Sequence, residues 1–241
     1  MALTRSQVDK AGRTLSRFLK DPQTVPVEDI NSAITTSDEY RATFREPMNA
    51  AATGLRSMTS TEGCIGPIVS QRLKERRSVL RKLTKTGTGL WRMQDLGGCR
   101  AVLQDIGEAR RVQARLVARQ PDAKVYDYID HPQASGYRGV HVVVKYGGGT
   151  SSYEERSIEI QLRTKLMHQW AITIEKLSEA TGFDLKHASE PAEILEYMAA
   201  VSQVFDAAEK GLALDDNLER RVNATEARFK EYMRRNHGIA L

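Results

Sequence analysis

Residues 157–163, Ser-Ile-Glu-Ile-Gln-Leu-Arg, alternate polar and apolar without a break. A period of two puts Ile158, Ile160 and Leu162 on one face and Glu159, Gln161 and Arg163 on the other. Such a segment settles as a strand with one face in a core and one polar face left open for other use. A strand needs neighbours, and the chain supplies them. Residues 68–74, 99–103, 123–129 and 138–146 read as further strands, and 138–146 with 156–162 as a hairpin closed by a longer loop at Gly147-Gly-Gly-Thr-Ser-Ser.

Helical spacing surrounds this centre. Leu3, Val8, Ala11, Leu15, Phe18 and Leu19 predict a helix over 3–20 that stops at Asp21-Pro22. A second helical region runs from about Val27 to residue 60, with interruptions expected at Pro47 and Gly54. Residues 76–83 resume the pattern, 86–89 read as a loop, and 106–119 as a helix. From Thr164 the chain is helical again, with a break around 182–191 and helices at about 192–210 and 215–235. The expected class is α+β, a mixed sheet flanked by N- and C-terminal helices. The expected division is a helical region over 1–60, a core over 61–180 and a second helical region over 181–241.

Charge narrows the function. The 241 residues carry a net charge of +5, but 65–100 alone hold nine bases against two acids, so the remainder sums to −2. So dense a patch points to a polyanion: nucleic acid, anionic lipid or a nucleotide polyphosphate. Two cysteines without CxxC spacing build no disulfide framework. The N-terminus reads as lacking a signal-peptide core, and no apolar run approaches the ~20 residues of a membrane span. A cytoplasmic protein is expected. Neither GxxxxGK[ST], GxGxxG after a strand, HExxH nor a His-Asp pair occurs.

Three constellations remain. In the first, Arg72 and Lys74 share one face of the predicted strand, and Ser78, Lys82 and Lys85 form one stripe of the helix after it. Together they suit a triphosphate, although a bare basic run is more often a solvated face. The second pairs Asp95, just before a buried strand, with Glu159 on the polar face of another. Two acids beside a phosphate cradle form a candidate Mg²⁺ site, and a solvent-facing strand is the plain alternative. The third is 131–141, His-Pro-Gln-Ala-Ser-Gly-Tyr-Arg-Gly-Val-His. Here Tyr137, Gly139 and His141 share a face, and the small Gly139 leaves room for a flat ring on Tyr137 unless the tyrosine is simply core.

In sequence order these stretches resemble the RelA/SpoT-homology (alarmone synthetase) family, of the stand-alone small synthetase type. Residues 72–83 look like its R-x-K-x-x-x-S-φ-x-x-K-φ segment, and 95–100 like D-φ-x-G-x-R. Residues 127–141 look like D-Y-I-x-x-P-K-x-N-G-Y-R-S-x-H, and 159–171 like E-I-Q-φ-R-T-x-x-x-H-x-W-A. The resemblance implies a nucleotidyltransferase-like synthetase core that moves the β,γ-pyrophosphate of ATP to a 3′-hydroxyl, with Mg²⁺ as cofactor. It also implies residue roles. Arg72, helped by Arg100, would pack on adenine, while Lys74, Ser78, Lys82 and Lys85 would hold the ATP phosphates. Asp95 would bind the metal, and Glu159 would bind metal or take the hydroxyl proton. Tyr137 would stack on the acceptor base, supported by His141, Gln161 and Arg163.

The departures cluster on the acceptor side. Gln133 stands where the family has lysine, Ser135 where it has asparagine, and Gly139 where it has serine. GDP or GTP is the leading acceptor, giving ppGpp or pppGpp. The alternatives are the 3′-CCA end of tRNA, as in the toxin branch with its antitoxin partner, or an adenosine nucleotide. A binding module that has lost turnover is a further reading, weakened by the retention of both acids. The helical flanks are open to homo-oligomer formation, and the bases of 220–235 are read as solvated rather than as an RNA surface.

Overall fold

The computed structural model describes residues 3–149, 154–185 and 191–239. Five strands form one mixed sheet in the order β1-β2-β5-β4-β3. They are β1 (Ile68–Leu73), β2 (Gly97–Leu103), β3 (Lys124–Asp127), β4 (Val140–Tyr146) and β5 (Arg156–Thr164). Only β2 and β5 run parallel, and the other neighbours are antiparallel. β4 and β5 pair as the expected hairpin, though Thr150 and Ser151–152 of its loop lie outside the described residues. The eight helices of the described chain are α1 (Arg5–Lys20), α2 (Val27–Ala42), α3 (Arg45–Thr61), α4 (Arg76–Thr86), α5 (Ile106–Arg119), α6 (Lys165–Thr181), α7 (Ala192–Glu209) and α8 (Asp216–His237).

Apolar alternation decides which face of the sheet is covered. Ile158, Ile160 and Leu162 are buried with Val140, Val142 and Val144 of β4 and Cys99, Ala101 and Leu103 of β2. Helices α3 and α5 pack over that face with Leu55, Met58, Val112 and Leu116. The opposite face carries the polar set. Register places Glu159 beside Gly98 and Val143, and Gln161 beside Arg100 and His141. A second apolar cluster joins α6, α7 and α8 through Trp170, Ile174, Ile194, Met198, Phe229 and Met233, and takes in Tyr137.

The sequence misplaced one helix break. The chain turns at Thr43-Phe44, not at Pro47 or Gly54. Pro47 lies in the first turn of α3, where its missing N–H is one of the donors a helix leaves unpaired anyway. Gly54 continues the helix against Tyr146. The break forms because Phe44 turns into the core while the Thr43 hydroxyl and amide bond back to the Tyr40 carbonyl. Strand ends moved for similar local reasons. β3 stops at Asp127, whose carboxylate accepts the Ile129 and Asp130 amides. α4 extends through Thr86 and closes on Gly87 at φ +63°, so the expected loop is shorter. The break expected at 182–191 includes 186–190, outside the described residues.

Candidate active site

One cleft of about 840 Å³ lies on the polar face of the sheet. Its floor is Gly98, Arg100, His141, Glu159, Gln161 and Arg163, with α4 and α6 as opposite walls. At one end the 133–137 turn brings Gln133, Ser135 and Tyr137 to the lining. Single-ligand pockets span ~300–1,000 Å³, so this one is at the roomy end.

The basic wall is built as the pattern predicts, with two changes. Arg72 of β1 and Lys74, just past its end, line the cleft, and Ser78 follows from α4. Beside Ser78 the helix presents Arg77 and Arg81, which the sequence reading counted as charges but did not place in the site. The spacing 77, 78, 81 is one helical stripe, so the signal was present. Lys85 is not among the lining residues: it is 60% exposed and approaches Asp184 at 3.8 Å. Lys82 is not among the lining residues either, because it turns inward to Asp95. Across the cleft, Glu175 of α6 faces Arg72 at 3.8 Å, and Asp184 faces Arg81 at 3.1 Å.

Asp95 is gripped from two sides. Lys74 Nζ donates to one carboxylate oxygen and Lys82 Nζ to the other, each at 2.9 Å. Burial alone would raise this carboxyl's pKa, but the two ammonium groups outweigh it and hold the value below 3.8. Glu159 behaves alike. Burial pushes it up, bonds to His141 and then Gln161 pull it below 4.5, and the nearby Asp95 opposes them. Both acids are therefore ionised at neutral pH.

A chain of hydrogen bonds runs along the floor from Glu159. His141 Nδ1 lies 3.1 Å from one Glu159 oxygen, and Gln161 Nε2 donates to the other at 2.7 Å. Glu159 can only accept, so Nδ1 carries a proton toward it, and Nε2 lies 2.5 Å from the Tyr137 hydroxyl. Arg163 completes the chain by donating Nε and Nη2 to the Tyr137 oxygen at 3.2 and 3.0 Å.

That chain changes the expectation for Tyr137. The ring is 7% exposed, lies edge-on to Tyr128, His141 and Trp170, and carries the Arg163 guanidinium on its face, 5.0 Å from the centroid. Little of the ring is left open for an acceptor base, although Tyr137 still lines the cleft. The room expected over Gly139 is taken as well: a Cβ there would meet the Tyr137 hydroxyl at 3.2 Å and Arg163 Cγ at 3.3 Å. Arg163 itself is 3% exposed, and Arg100 approaches Gln161 at 3.5 Å.

Comparison with known proteins identifies this arrangement. Residues 71–178 match the region found in RelA / SpoT proteins. The chain is 33% identical over 174 residues to the GTP pyrophosphokinase YjbM of Bacillus subtilis, spanning 65% of this chain and 82% of that protein. The chain belongs to the RelA/SpoT family. It is a pyrophosphokinase-type transferase of the alarmone-synthetase kind. The fold agrees with small alarmone synthetase 1 from Bacillus subtilis, solved with its product pppGpp: TM-score 0.61, 23% identity, 72% of this chain and 93% of that one. A GTP pyrophosphokinase family protein from Streptococcus pneumoniae gives a TM-score of 0.60 at 24% identity, covering 80% of this chain and 96% of that one. The RelA/SpoT match spans β1 to α6, the part of the chain that supplies every cleft residue except those of 179–184 and Ser70.

Proposed function

We propose that this RelA/SpoT protein transfers the β,γ-pyrophosphate of ATP to the 3′-hydroxyl of GDP or GTP. One observation carries the reading: the Glu159–His141–Tyr137 chain lies on the floor of the same cleft that α4 lines with Arg77, Ser78 and Arg81. ATP phosphates belong against Lys74, Ser78, Arg81 and Lys82, with adenine toward Arg72 and Arg100. Glu159, ionised and held by His141, accepts the proton of the acceptor's 3′-hydroxyl. The hydroxyl oxygen then bonds to the β-phosphorus, the α,β-bridging bond breaks, and AMP leaves with the bridging oxygen. Positioning and charge neutralisation supply the rest of the rate, without a protein nucleophile.

Magnesium fits the donor set. Among the described residues no group of three or more His, Cys, Asp or Glu side chains is arranged to hold a metal. Two ionised carboxylates completed by nucleotide phosphates are the usual holders of this ion. Asp95 and Glu159 would hold it, and bound there it would neutralise charge on the transferred group. Lys74 and Lys82 would then move from Asp95 to the phosphates.

Support for a guanosine acceptor comes from the relatives, one of them named a GTP pyrophosphokinase and another solved with pppGpp. Four of the six Lys and Arg of α8 are ion-paired within the chain, in keeping with a solvated face: Arg228 with Glu196, Lys230 with Glu226, and Arg234 and Arg235 with Glu231. A second reading, the tRNA 3′ end or an adenosine nucleotide, is favoured by the uncharged Gln133 and Ser135 at the acceptor end of the cleft. Labelled ATP offered in parallel with GDP, GTP, ATP and deacylated tRNA separates these. Label in ppGpp or pppGpp supports the proposal, and label in tRNA alone overturns it.

A further inference from the structure

The 133–137 turn, which the proposed function makes the acceptor end of the cleft, is anchored at its last residue by the bonds of Tyr137 to His141 and Arg163. Three bonds close it internally: the Gln133 amide donates to the Tyr137 carbonyl at 3.1 Å, the Gly136 amide to the Gln133 carbonyl at 2.8 Å and the Tyr137 amide to Ser135 Oγ at 3.4 Å. The rest of its support lies beyond the RelA/SpoT match, which ends at residue 178. The buried Ser202 hydroxyl of α7 donates to the Gly136 carbonyl at 2.5 Å. Gly136 sits against the α7 backbone at φ +90°, where a Cβ would lie 2.8 Å from Ala199 Cα.

The next residues extend the same attachment. Arg138, 3% exposed, points away from the cleft and forms ion pairs with Asp206 at 2.5 Å and Glu209 at 2.7 Å, both on α7. Glu209 also accepts from the Thr164 hydroxyl, at the end of the strand that carries Glu159. Trp170 Nε1, on the cleft wall, donates to the Met198 carbonyl at 2.8 Å. One face of α7 thus holds the turn, the end of β5 and α6 in register.

We propose that α7 is part of the acceptor site, with Ser202 a positioning residue for the 133–137 turn and Asp206 and Glu209 positioning residues acting through Arg138. The cost of removing one partner of a buried hydrogen bond makes the claim measurable. Ser202→Ala deletes one hydroxyl and leaves the apolar packing of α7 in place. Amide deuterium exchange is expected to speed up across 133–137 in this variant and to stay unchanged over 72–85. The KM for GDP is expected to rise about fivefold, the worth of one buried hydrogen bond, with the KM for ATP unchanged.

Glu209→Gln keeps one acceptor oxygen of the two that Arg138 and Thr164 use, and is expected to fall between wild type and Ser202→Ala in exchange. Unchanged exchange at the turn in Ser202→Ala, or an equal rise in both KM values, overturns the proposal. This inference rests on the acceptor reading only for its kinetic arm. If wild type makes no product with GDP, that reading fails, while the exchange result still decides whether α7 holds the turn.

Discussion

His141 holds Glu159 by its Nδ1 at 3.1 Å and leaves its Nε2 to the Tyr137 hydroxyl. The carboxylate is thereby kept ionised and aimed by a ring that is itself fixed at its far side by a buried tyrosine and arginine. Arg163 and Tyr137 sit under the cleft as supports for this pair.

Replacing Glu159 by glutamine should therefore remove the proton acceptor and keep the shape. Gln at this position still accepts from His141. Turnover is expected to fall about 10²- to 10⁴-fold, the usual worth of a general base. ATP binding, measured by calorimetry without magnesium, should change little. Turnover within tenfold of wild type would move the base elsewhere.

Acid stability tests the same carboxylates. Both Asp95 and Glu159 hold their protons less tightly in the folded chain than ordinary carboxyls, which titrate at 3.8 and 4.5. The folded state then binds fewer protons than the unfolded one, so their stabilisation is complete above those values. It is lost as pH falls through the lower folded-state values. Melting temperature should drop below pH 4.5, and drop less steeply in Asp95→Asn than in wild type. Parallel curves would mean that Lys74 and Lys82 contribute no stability through Asp95.

The site was legible in the sequence wherever local period fixed direction. Alternation in β5 was enough to put Glu159, Gln161 and Arg163 on one face, and β2 and β4 followed from it. The Thr43-Phe44 break was not legible, because neither residue is a helix breaker and the turn exists only to bury Phe44. Nor was the covering of Tyr137, which needs Arg163 to cross over Gly139 and Trp170 to arrive from α6. Those are contacts between elements, and no period within one element reports them.

Family spacing and geometry disagree on α4, which gives a discriminating pair of variants. The resemblance makes Lys85 a phosphate holder, whereas the helix turns Arg81 into the cleft and leaves Lys85 outside its lining. Arg81→Ala should raise the KM for ATP about tenfold or more, as expected for losing a charged hydrogen bond to phosphate. Lys85→Ala should raise it less than threefold, in keeping with the small worth of exposed charges. The reverse order in ATP titrations would show that the helix rotates when nucleotide enters.

Gly139 carries φ +150°, where a side chain is strained, and its Cα faces the Arg163–Tyr137 contact. Restoring the family's serine here should cost about 1–3 kcal/mol of stability through backbone strain alone. The hydroxymethyl group would also press on Arg163. Chemical denaturation of Gly139→Ser measures the first effect, and a fall in turnover without a change in ATP affinity reports the second. A variant as stable as wild type would mean that the strand relaxes to ordinary extended backbone.

Restoring the two acceptor-side residues tests the substrate assignment from the opposite direction. Gln133 is exposed at the cleft's end and uses its backbone, not its side chain, to close the turn. Ser135 accepts the Tyr137 amide through Oγ at 3.4 Å, a bond that an asparagine side-chain oxygen can also make. Gln133→Lys with Ser135→Asn should therefore fold normally while adding a cation and an amide beside the acceptor. If GDP and GTP are the substrates, the added charge should lower their KM several-fold with ATP unaffected, and the gain should shrink at high salt. If the natural acceptor is a polymer end, the double variant should gain guanosine-nucleotide activity that wild type lacks and lose part of its label transfer to tRNA.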